Sequence, residues 1–252
     1  MNPLARFSNR ADYYALYRPG YPDAIIDLLR NEAGWTPGAA VADIGAGTGI
    51  SSELFLRHGN QVWAVEPNAE MRAVAQKLCG TYPLQVIDGT AENTTLAAAS
   101  VDFVVAATAF HWFDAASCRT EFRRILKPGG VAVVLWNERR STKSPLLEAY
   151  EDLLERFGTD YKSKWGKDRG DLGGSVKALF DPAPLHASRF DNAQHLDFDG
   201  LRGRLLSSSY TPLPGEPKHD GMMAELRVLF DRFQQAGTVT IAYETTVYWG
   251  NP

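Results

Sequence analysis

The stretch Val41-Ala42-Asp43-Ile44-Gly45-Ala46-Gly47-Thr48-Gly49 contains the strongest fold signal in this chain. Its first four residues are mostly apolar, which predicts a short buried strand, and its three glycines predict a tight turn before a helix. Glycine lets the backbone approach a ligand closely, and the start of a helix presents unpaired N–H groups. In an open α/β sheet such a turn lies at the carboxyl ends of the strands, where ligands bind.

Helix and strand signals alternate on both sides of this turn, from residue 22 to residue 136. Strands that alternate with helices form a parallel sheet covered on both faces. Five short apolar runs predict strands at 40–44, 61–66, 84–87, 102–107 and 131–136, and two later β-rich runs predict strands at 187–198 and 238–249. We therefore expect an α/β fold with a Rossmann-like, doubly wound, mostly parallel sheet of seven strands and an antiparallel C-terminal strand.

The order of these signals predicts one domain over residues 1–252. Residues 10–137 form its ligand-binding core. Residues 138–185 include a stretch rich in Gly, Lys and Asp, and we expect them to form a helical insertion over the site. Residues 186–252 contribute the strands and helices that complete the sheet. Within the core, Asn68 and Asp114 are predicted to cap the helices that follow them.

Composition excludes several classes of protein. The chain has 252 residues, of which 44% are hydrophobic and 22% charged, as in ordinary globular domains. Its formal net charge is −4, whereas a protein that follows a phosphate backbone is usually basic, so we expect no nucleic acid partner. The two cysteines form no metal-binding pattern, and we expect no metal site. Nothing in the sequence specifies an oligomeric state.

The sequence also lacks the usual signals for export or membrane insertion. Residues 1–10 contain no apolar core of a secretory signal. The longest mainly apolar stretch, 101–113, is shorter than the ~20 residues that span a bilayer. We therefore expect no membrane association and a cytoplasmic location.

The spacing of the glycines limits the classes of ligand that the turn is expected to bind. A dinucleotide fingerprint would read GxGxxG, but Ile50 stands where its third glycine belongs. Asp43 adds a carboxylate that suits a cationic ligand group, and Glu66 ends the second strand, where a carboxylate can accept both ribose hydroxyls. A nucleoside with an amino-acid tail, S-adenosylmethionine, fits this pattern. A nicotinamide-dependent oxidoreductase, a non-catalytic S-adenosylmethionine-binding module and a plain structural turn stay open as alternatives.

Three motifs resemble those of class I S-adenosylmethionine-dependent methyltransferases. They are residues 41–49, Val65-Glu66-Pro67-Asn68 and Leu126-Lys127-Pro128-Gly129-Gly130. Two more segments, 14–22 and Phe110-His111-Trp112-Phe113-Asp114, resemble a small-molecule branch that includes trans-aconitate methyltransferases. The resemblance implies methyl transfer from S-adenosylmethionine to a small molecule, with S-adenosylhomocysteine as the product.

The resemblance also implies individual cofactor contacts. The backbone of Gly45, Ala46 and Gly47 is expected to lie beside the methionine end of the cofactor. Asp43 is expected to organise the turn or to contact the ammonium group of the methionine, and Glu66 to bind the ribose hydroxyls. The remaining implied contacts are Pro67 and Met71 beside the sugar and adenine, Thr90 and Ala91 in the adenine loop, Ala107 beside the methionine chain, Arg18 at its carboxylate and Tyr14 over the cofactor.

The acceptor side rests on three candidates. His111 follows the fourth strand, and because imidazole titrates near neutrality it is a candidate general base, with a purely positional role as the alternative. Trp112 is predicted to face the acceptor pocket. Arg139 is predicted to bind an acceptor carboxylate, with a solvated edge as the alternative. A base is needed for a protonated amine, a phenol or a carbon acid, but not for a carboxylate acceptor.

Overall fold

The computed structural model describes residues 10–140, 144–159, 161 and 172–252, and its centre is a seven-stranded sheet. The strands are β1 (Ala40–Ile44), β2 (Gln61–Val65), β3 (Leu84–Ile87), β4 (Val101–Ala106), β5 (Leu126–Arg139), β6 (His186–Leu196) and β7 (Val239–Gly250). Their order is β3-β2-β1-β4-β5-β7-β6, and β7 runs antiparallel to both of its neighbours. The predicted Rossmann-like sheet with an antiparallel C-terminal strand is confirmed.

Nine helices lie in the described part of the chain. They are α1 (Ala11–Tyr17), α2 (Ala24–Glu32), α3 (Ile50–Arg57), α4 (Ala69–Cys79), α5 (Ala115–Ile125), α6 (Pro145–Phe157), α7 (Leu172–Phe180), α8 (Phe198–Leu206) and α9 (His219–Phe233). A short 3-10 helix covers Thr108–Trp112. The predicted caps are confirmed, because Asn68 accepts from the N–H of Met71 and Asp114 accepts from that of Ser117.

The sheet buries both faces because successive side chains of a strand point to opposite sides. On one face Val41 of β1 and Val133 of β5 pack with the apolar sides of α2 and α3. On the other face Ala42 and Val134, the next residues along the same strands, pack with α5 and α7. This double burial explains why the parallel strands read as nearly continuous apolar runs.

A third hydrophobic cluster joins α6, α8 and α9 to the first half of β7. We call these three helices the helical cap. The predicted insertion, 138–185, is divided between two places: α6 belongs to the cap, whereas Val176 and Phe180 of α7 pack on the sheet face that α5 covers. Residues 141–143, 160 and 162–171 of that insertion lie outside the described residues. Within the described ranges, no helix is long and apolar enough to cross a bilayer.

Candidate active site

The glycine turn between β1 and α3 adopts backbone angles that favour glycine. Gly45, Gly47 and Gly49 have φ values of +66°, +58° and +90°. The N–H of Gly45 donates to the carbonyl of Val65 at 2.8 Å, which fastens the turn to the end of β2. A Cβ on Gly45 would lie 2.7 Å from the Cβ of Ala109, whereas a Cβ on Gly47 would meet nothing within 4 Å. Packing therefore requires glycine at 45, and Gly47 faces open space.

Glu66 lies beside this turn, just past the end of β2. Its side chain is largely buried, and its Oε2 accepts from the N–H of Gly47 while its Oε1 accepts from the N–H of Asn68, both at 2.9 Å. Burial raises the pKa of Glu66 above its ordinary value, although these two bonds act in the opposite direction. A carboxylate oxygen accepts two hydrogen bonds, so both oxygens retain capacity for a ligand.

Asp43 supports the turn from beneath. It is fully buried, and its Oδ2 accepts from the hydroxyls of Ser51 at 2.7 Å and Ser52 at 2.6 Å, at the start of α3. Burial raises the pKa of Asp43 to about 6, while the two serine bonds lower it. Its Oδ1 is buried and has no hydrogen-bond partner among the described residues. In this structure Asp43 orders the helix start and does not line the cavity.

A cavity of about 540 Å³ opens at the carboxyl ends of the strands, within the usual size range for small-molecule sites. It brings together most of the residues predicted from the sequence. Those on its wall are Tyr14, Arg18, Gly45, Ala46, Gly47, Glu66, Pro67, Met71, Ala107, His111, Trp112 and Arg139. Thr90 and Ala91 are not on the wall: Thr90 bonds with Asn93 in its own loop, and Ala91 is buried in the core. Their predicted adenine contacts stay predictions.

The N-terminal helix α1 covers part of this cavity. Arg10, which precedes it, is buried and donates to three backbone carbonyls at and just after the end of α8, those of Leu206, Ser208 and Thr211. A Cβ on Gly203 would fall 2.3 Å from the ring of Tyr17, so glycine at this position lets α1 pack closely on α8. The guanidinium of Arg18 lies 4.8 Å from the ring centroid of Tyr14. The two predicted residues are thus held together on the wall.

His111 and Trp112 lie in the 3-10 helix after β4. The Nδ1 of His111 lies 2.6 Å from the carbonyl oxygen of Thr108, and because a carbonyl only accepts, this nitrogen carries the proton. The Nε2 atom of the neutral ring therefore has the lone pair. The ring meets Trp136 edge-on, with centroids 5.4 Å apart, and Trp112 is 45% exposed. The geometry of His111 is compatible with a role as general base and equally with a role in positioning its neighbours.

Arg139 ends β5 on the cavity wall but is not on a solvated edge. Its side chain is 8% exposed and forms an ion pair with Glu151 of α6 at 2.8 Å. Its Nη2 also donates to the hydroxyl of Tyr161, and its guanidinium lies 5.4 Å from the ring centroid of Tyr150. The buried pair fixes the position of the guanidinium and neutralises part of its charge.

Sequence reasoning missed a second set of wall residues, contributed by the helical cap and β7. They are Arg204 of α8, Ser209 and Tyr210 in the loop after it, and Tyr243 of β7. No local motif marks these positions, because they meet only through the packing of distant segments. Among the residues that the structure describes, no three side chains converge as metal ligands.

Comparison with known sequences gives related proteins over most of the chain. The family model of the methyltransferase domain matches residues 42–134. An uncharacterized methyltransferase of Mycobacterium tuberculosis is 40% identical over 157 residues; the match covers 61% of this chain and 59% of that relative, less than two thirds of its length. An uncharacterized methyltransferase-like protein of Schizosaccharomyces pombe is 33% identical over 249 residues, or 94% of this chain and 91% of that protein.

Solved structures share the fold. A protein of Anaeromyxobacter dehalogenans, provisionally assigned as a type II methyltransferase, superposes with a TM-score of 0.66 at 22% identity, over 93% of this chain and 97% of that one. The YcgJ protein of Bacillus subtilis gives a TM-score of 0.52 at 18% identity, over 91% of this chain and 98% of that one. At these identities the likeness concerns the fold alone.

Proposed function

The chain belongs to the S-adenosylmethionine-dependent methyltransferase family, and we propose that it transfers the methyl group of S-adenosylmethionine to a small-molecule acceptor, with a carboxylate as one candidate acceptor group. The observation that carries this proposal is one cavity that joins the glycine turn and Glu66 to a separate wall of aromatic and cationic side chains. A nicotinamide cofactor is disfavoured, because Ile50 begins α3 where the third glycine of a dinucleotide fingerprint would stand.

The residues on the cofactor side fit this molecule by their chemistry. Gly47 has no side chain to fill the space beside the turn, and Glu66 retains acceptor capacity for ribose hydroxyls. The Nε of Arg18 is a buried donor without a partner in the described part of the chain, and a carboxylate would satisfy it. Pro67 and Met71 supply apolar wall for the sugar and the adenine.

When bound, the cofactor supplies a methyl group that a sulfonium has already activated. The chain's own task is to hold the acceptor in line with that group and to exclude water. For an ideally placed pair, such alignment contributes up to about 7–11 kcal/mol. Trp112, Phe113 and Trp136 form an aromatic wall suited to both tasks. The Nε2 of His111 can take a proton from an acceptor that must lose one.

Calorimetry with the full chain tests which cofactor the protein binds. We expect S-adenosylhomocysteine to bind at one site with a Kd below about 1 mM, and a reduced nicotinamide dinucleotide to show no binding at the same concentration. The absence of S-adenosylhomocysteine binding would refute the proposal. Incubation with labelled S-adenosylmethionine and a metabolite extract, followed by mass analysis, should then reveal the methylated acceptor. Tight binding without any product would favour a binding module.

The role of His111 is tested once an acceptor is known. If His111 is the base, the rate should rise with pH through the titration of the imidazole, and His111→Gln should abolish that rise. If His111 is positional, the pH profile should keep its shape in His111→Gln while the rate falls uniformly. A flat profile for the unmutated enzyme would remove His111 as a base.

A further inference from the structure

Four arginines lie on the cavity wall. Arg189 of β6 is 71% exposed and lies 3.5 Å from Glu244. The other three come from distant segments: Arg18, which follows α1, Arg139 at the end of β5, and Arg204 in α8. Together with Tyr210 and Tyr243 we call them the arginine chamber. Arg204 is 3% exposed, and its Nε donates to the hydroxyl of Tyr243 at 2.9 Å. Its Nη1 donates to the hydroxyl of Ser208 at 3.3 Å. The partners of Arg204 are thus neutral oxygens.

The chamber carries more positive than negative charge. In the described part of the chain, Arg139 pairs with Glu151, whereas Arg18 donates to the carbonyl of Ser207 and forms no ion pair, and neither does Arg204. Guanidinium groups stay protonated in proteins. Two of the three positive charges therefore have no carboxylate partner among the described residues.

Three acidic residues lie on the cavity wall, and none of them cancels this excess. Glu66 lies beside the glycine turn, where it accepts from the N–H groups of Gly47 and Asn68. Glu138 and Glu244 face each other across β5 and β7, one position away from the facing pair Arg139 and Tyr243. Because successive residues of a strand point to opposite faces, these carboxylates lie on the other side of the sheet from the chamber. Glu244 is also paired with Arg140, at 3.2 Å.

Two further observations indicate that the chamber is built for a ligand. The Nε of Arg18, on the cavity wall, and the hydroxyl of Tyr150, which lies against Arg139 but is not on the wall, are buried and have no hydrogen-bond partner in the described ranges. The Arg18 donor is the one that the proposed function gives to the cofactor's carboxylate. Burial acts to raise the pKa of Tyr210, yet the charges of the three arginines bring the net pKa below its ordinary value. Buried charges and donors without partners are costly, and a bound anion removes that cost.

We propose that the arginine chamber binds a carboxylate of the acceptor and that the methyl group goes to a different group of the same molecule. This inference rests on the proposed function, in which the cofactor's own carboxylate takes up one of the two uncompensated charges, that of Arg18. A carboxylate held by guanidinium donors has its lone pairs engaged in hydrogen bonds and is a poor nucleophile. The acceptor class is therefore a carboxylate-bearing molecule with a second, nucleophilic group.

The first test compares a charged and a neutral probe that have the same carbon skeleton. With the full chain saturated by S-adenosylhomocysteine, we expect succinate to bind about tenfold or more tightly than succinamide, which has the same skeleton without charge. Equal binding of the two, or the absence of succinate binding, would overturn the inference. Inorganic phosphate serves as a third probe, and a clear preference for phosphate over succinate would overturn the assignment to a carboxylate.

The second test assigns the effect to Arg204. Arg204→Gln should weaken succinate binding about tenfold or more and leave the affinity for S-adenosylhomocysteine within about threefold. The matched control is Arg202→Gln, two residues earlier on α8, where the side chain is 51% exposed and paired with Asp199. It makes the same change of charge and should alter neither affinity. Succinate binding to Arg204→Gln at the unmutated strength would overturn the inference.

The two tests also separate the inference from the proposed function. Loss of S-adenosylhomocysteine binding by the unmutated chain refutes the proposed function, whereas retained binding without a preference for succinate refutes only the chamber. If Arg204→Gln fails to fold, Arg204→Lys keeps the charge and loses the planar fork, and it should weaken succinate binding by a smaller factor. The comparison of succinate with succinamide needs no variant, and equal binding of the two refutes the chamber by itself.

Discussion

The two halves of the cavity are built in different ways. The cofactor half consists largely of backbone, at the glycine turn after β1, together with one carboxylate, Glu66, at the end of the neighbouring strand. The half proposed for the acceptor consists of side chains from the 3-10 helix after β4, from β5, from α8 and the loop after it, and from β7. A site made of backbone depends on a few glycines and tolerates change around it, whereas a site made of side chains changes its ligand with single substitutions. We infer that the first half fixes the donor and the second half selects the acceptor.

Gly47→Val should have the largest effect on the cofactor half. Its side chain would occupy the open space beside the turn, and we expect the affinity for S-adenosylhomocysteine to fall more than about 100-fold, or about 3 kcal/mol. The positive φ adds strain of about 1–3 kcal/mol to the folded state. Calorimetry measures the affinity and thermal unfolding measures the stability.

Gly237→Val is the matched control for that strain. Gly237 also has a positive φ, +81°, and a Cβ there would meet nothing within 4 Å, but it lies in the turn before β7 and not on the cavity wall. Both variants should lose stability, and only Gly47→Val should lose affinity. Equal affinity in the two would mean that the turn does not touch the cofactor.

The pH dependence of stability tests how the turn is held. Because the pKa of Asp43 is raised to about 6 in the folded state, the folded chain binds this proton more strongly than the unfolded chain does. The free energy of unfolding should therefore fall as pH rises from about 4 to above 6, by up to about 3 kcal/mol. Urea unfolding at several pH values measures this slope.

Asp43→Asn isolates the contribution of that carboxyl group. An amide oxygen can still accept from Ser51 and Ser52, but it does not titrate in this range. The variant should therefore lose most of the fall in stability between pH 4 and pH 6. The raised pKa of Glu66 acts in the same direction and should leave a smaller residual slope. An unchanged slope in Asp43→Asn would contradict the prediction.

Glu66→Gln should weaken cofactor binding less than Gly47→Val does, since it keeps the size of the side chain. It replaces one acceptor oxygen by an NH₂ group, which cannot accept from the N–H of Gly47 or from a ribose hydroxyl. We expect a loss of about 10–100-fold in affinity for S-adenosylhomocysteine, or about 1.5–3 kcal/mol. Glu53→Gln, at an exposed position in α3, is the control and should bind normally. Unchanged affinity in Glu66→Gln would contradict the proposal that Glu66 binds the ribose of the cofactor.

The contrast between the two halves of the cavity also explains which parts of the site could be predicted from the sequence. The order of strands and the glycine turn follow from apolar periodicity and from glycines within nine consecutive residues, and Glu66 follows from its place at the end of the next strand. The chamber has no such local signal. Tyr243 faces Arg139 only because β7 inserts between β5 and β6, and Arg204 joins them only because α8 packs against β7 and α1. Topology, not local pattern, creates that half.

A segment of the N-terminal region, residues 17–20, connects the two halves. The side-chain NH₂ of Gln194 in β6 donates to the carbonyl of Tyr17 at 3.0 Å, and its oxygen accepts from the hydroxyl of Tyr243 at 2.9 Å. Asn192, also in β6, donates to the carbonyl of Gly20 at 2.9 Å. These bonds tie the segment that carries Arg18 to the strand that carries part of the chamber.

Gln194→Leu should therefore have a small effect that reaches both halves. The variant loses the bonds of Gln194 to Tyr17 and Tyr243, and we expect the free energy of unfolding to fall by about 0.5–1.5 kcal/mol. The binding of both S-adenosylhomocysteine and succinate should weaken by about 2–10-fold. His195→Ala, at the next and exposed position of β6, should change neither affinity. If only succinate binding fell in Gln194→Leu, the bond to Tyr243 would account for the effect, and the bond to Tyr17 would have no influence on the cofactor. If both fell together, the segment would couple the site that fixes the donor to the site that selects the acceptor.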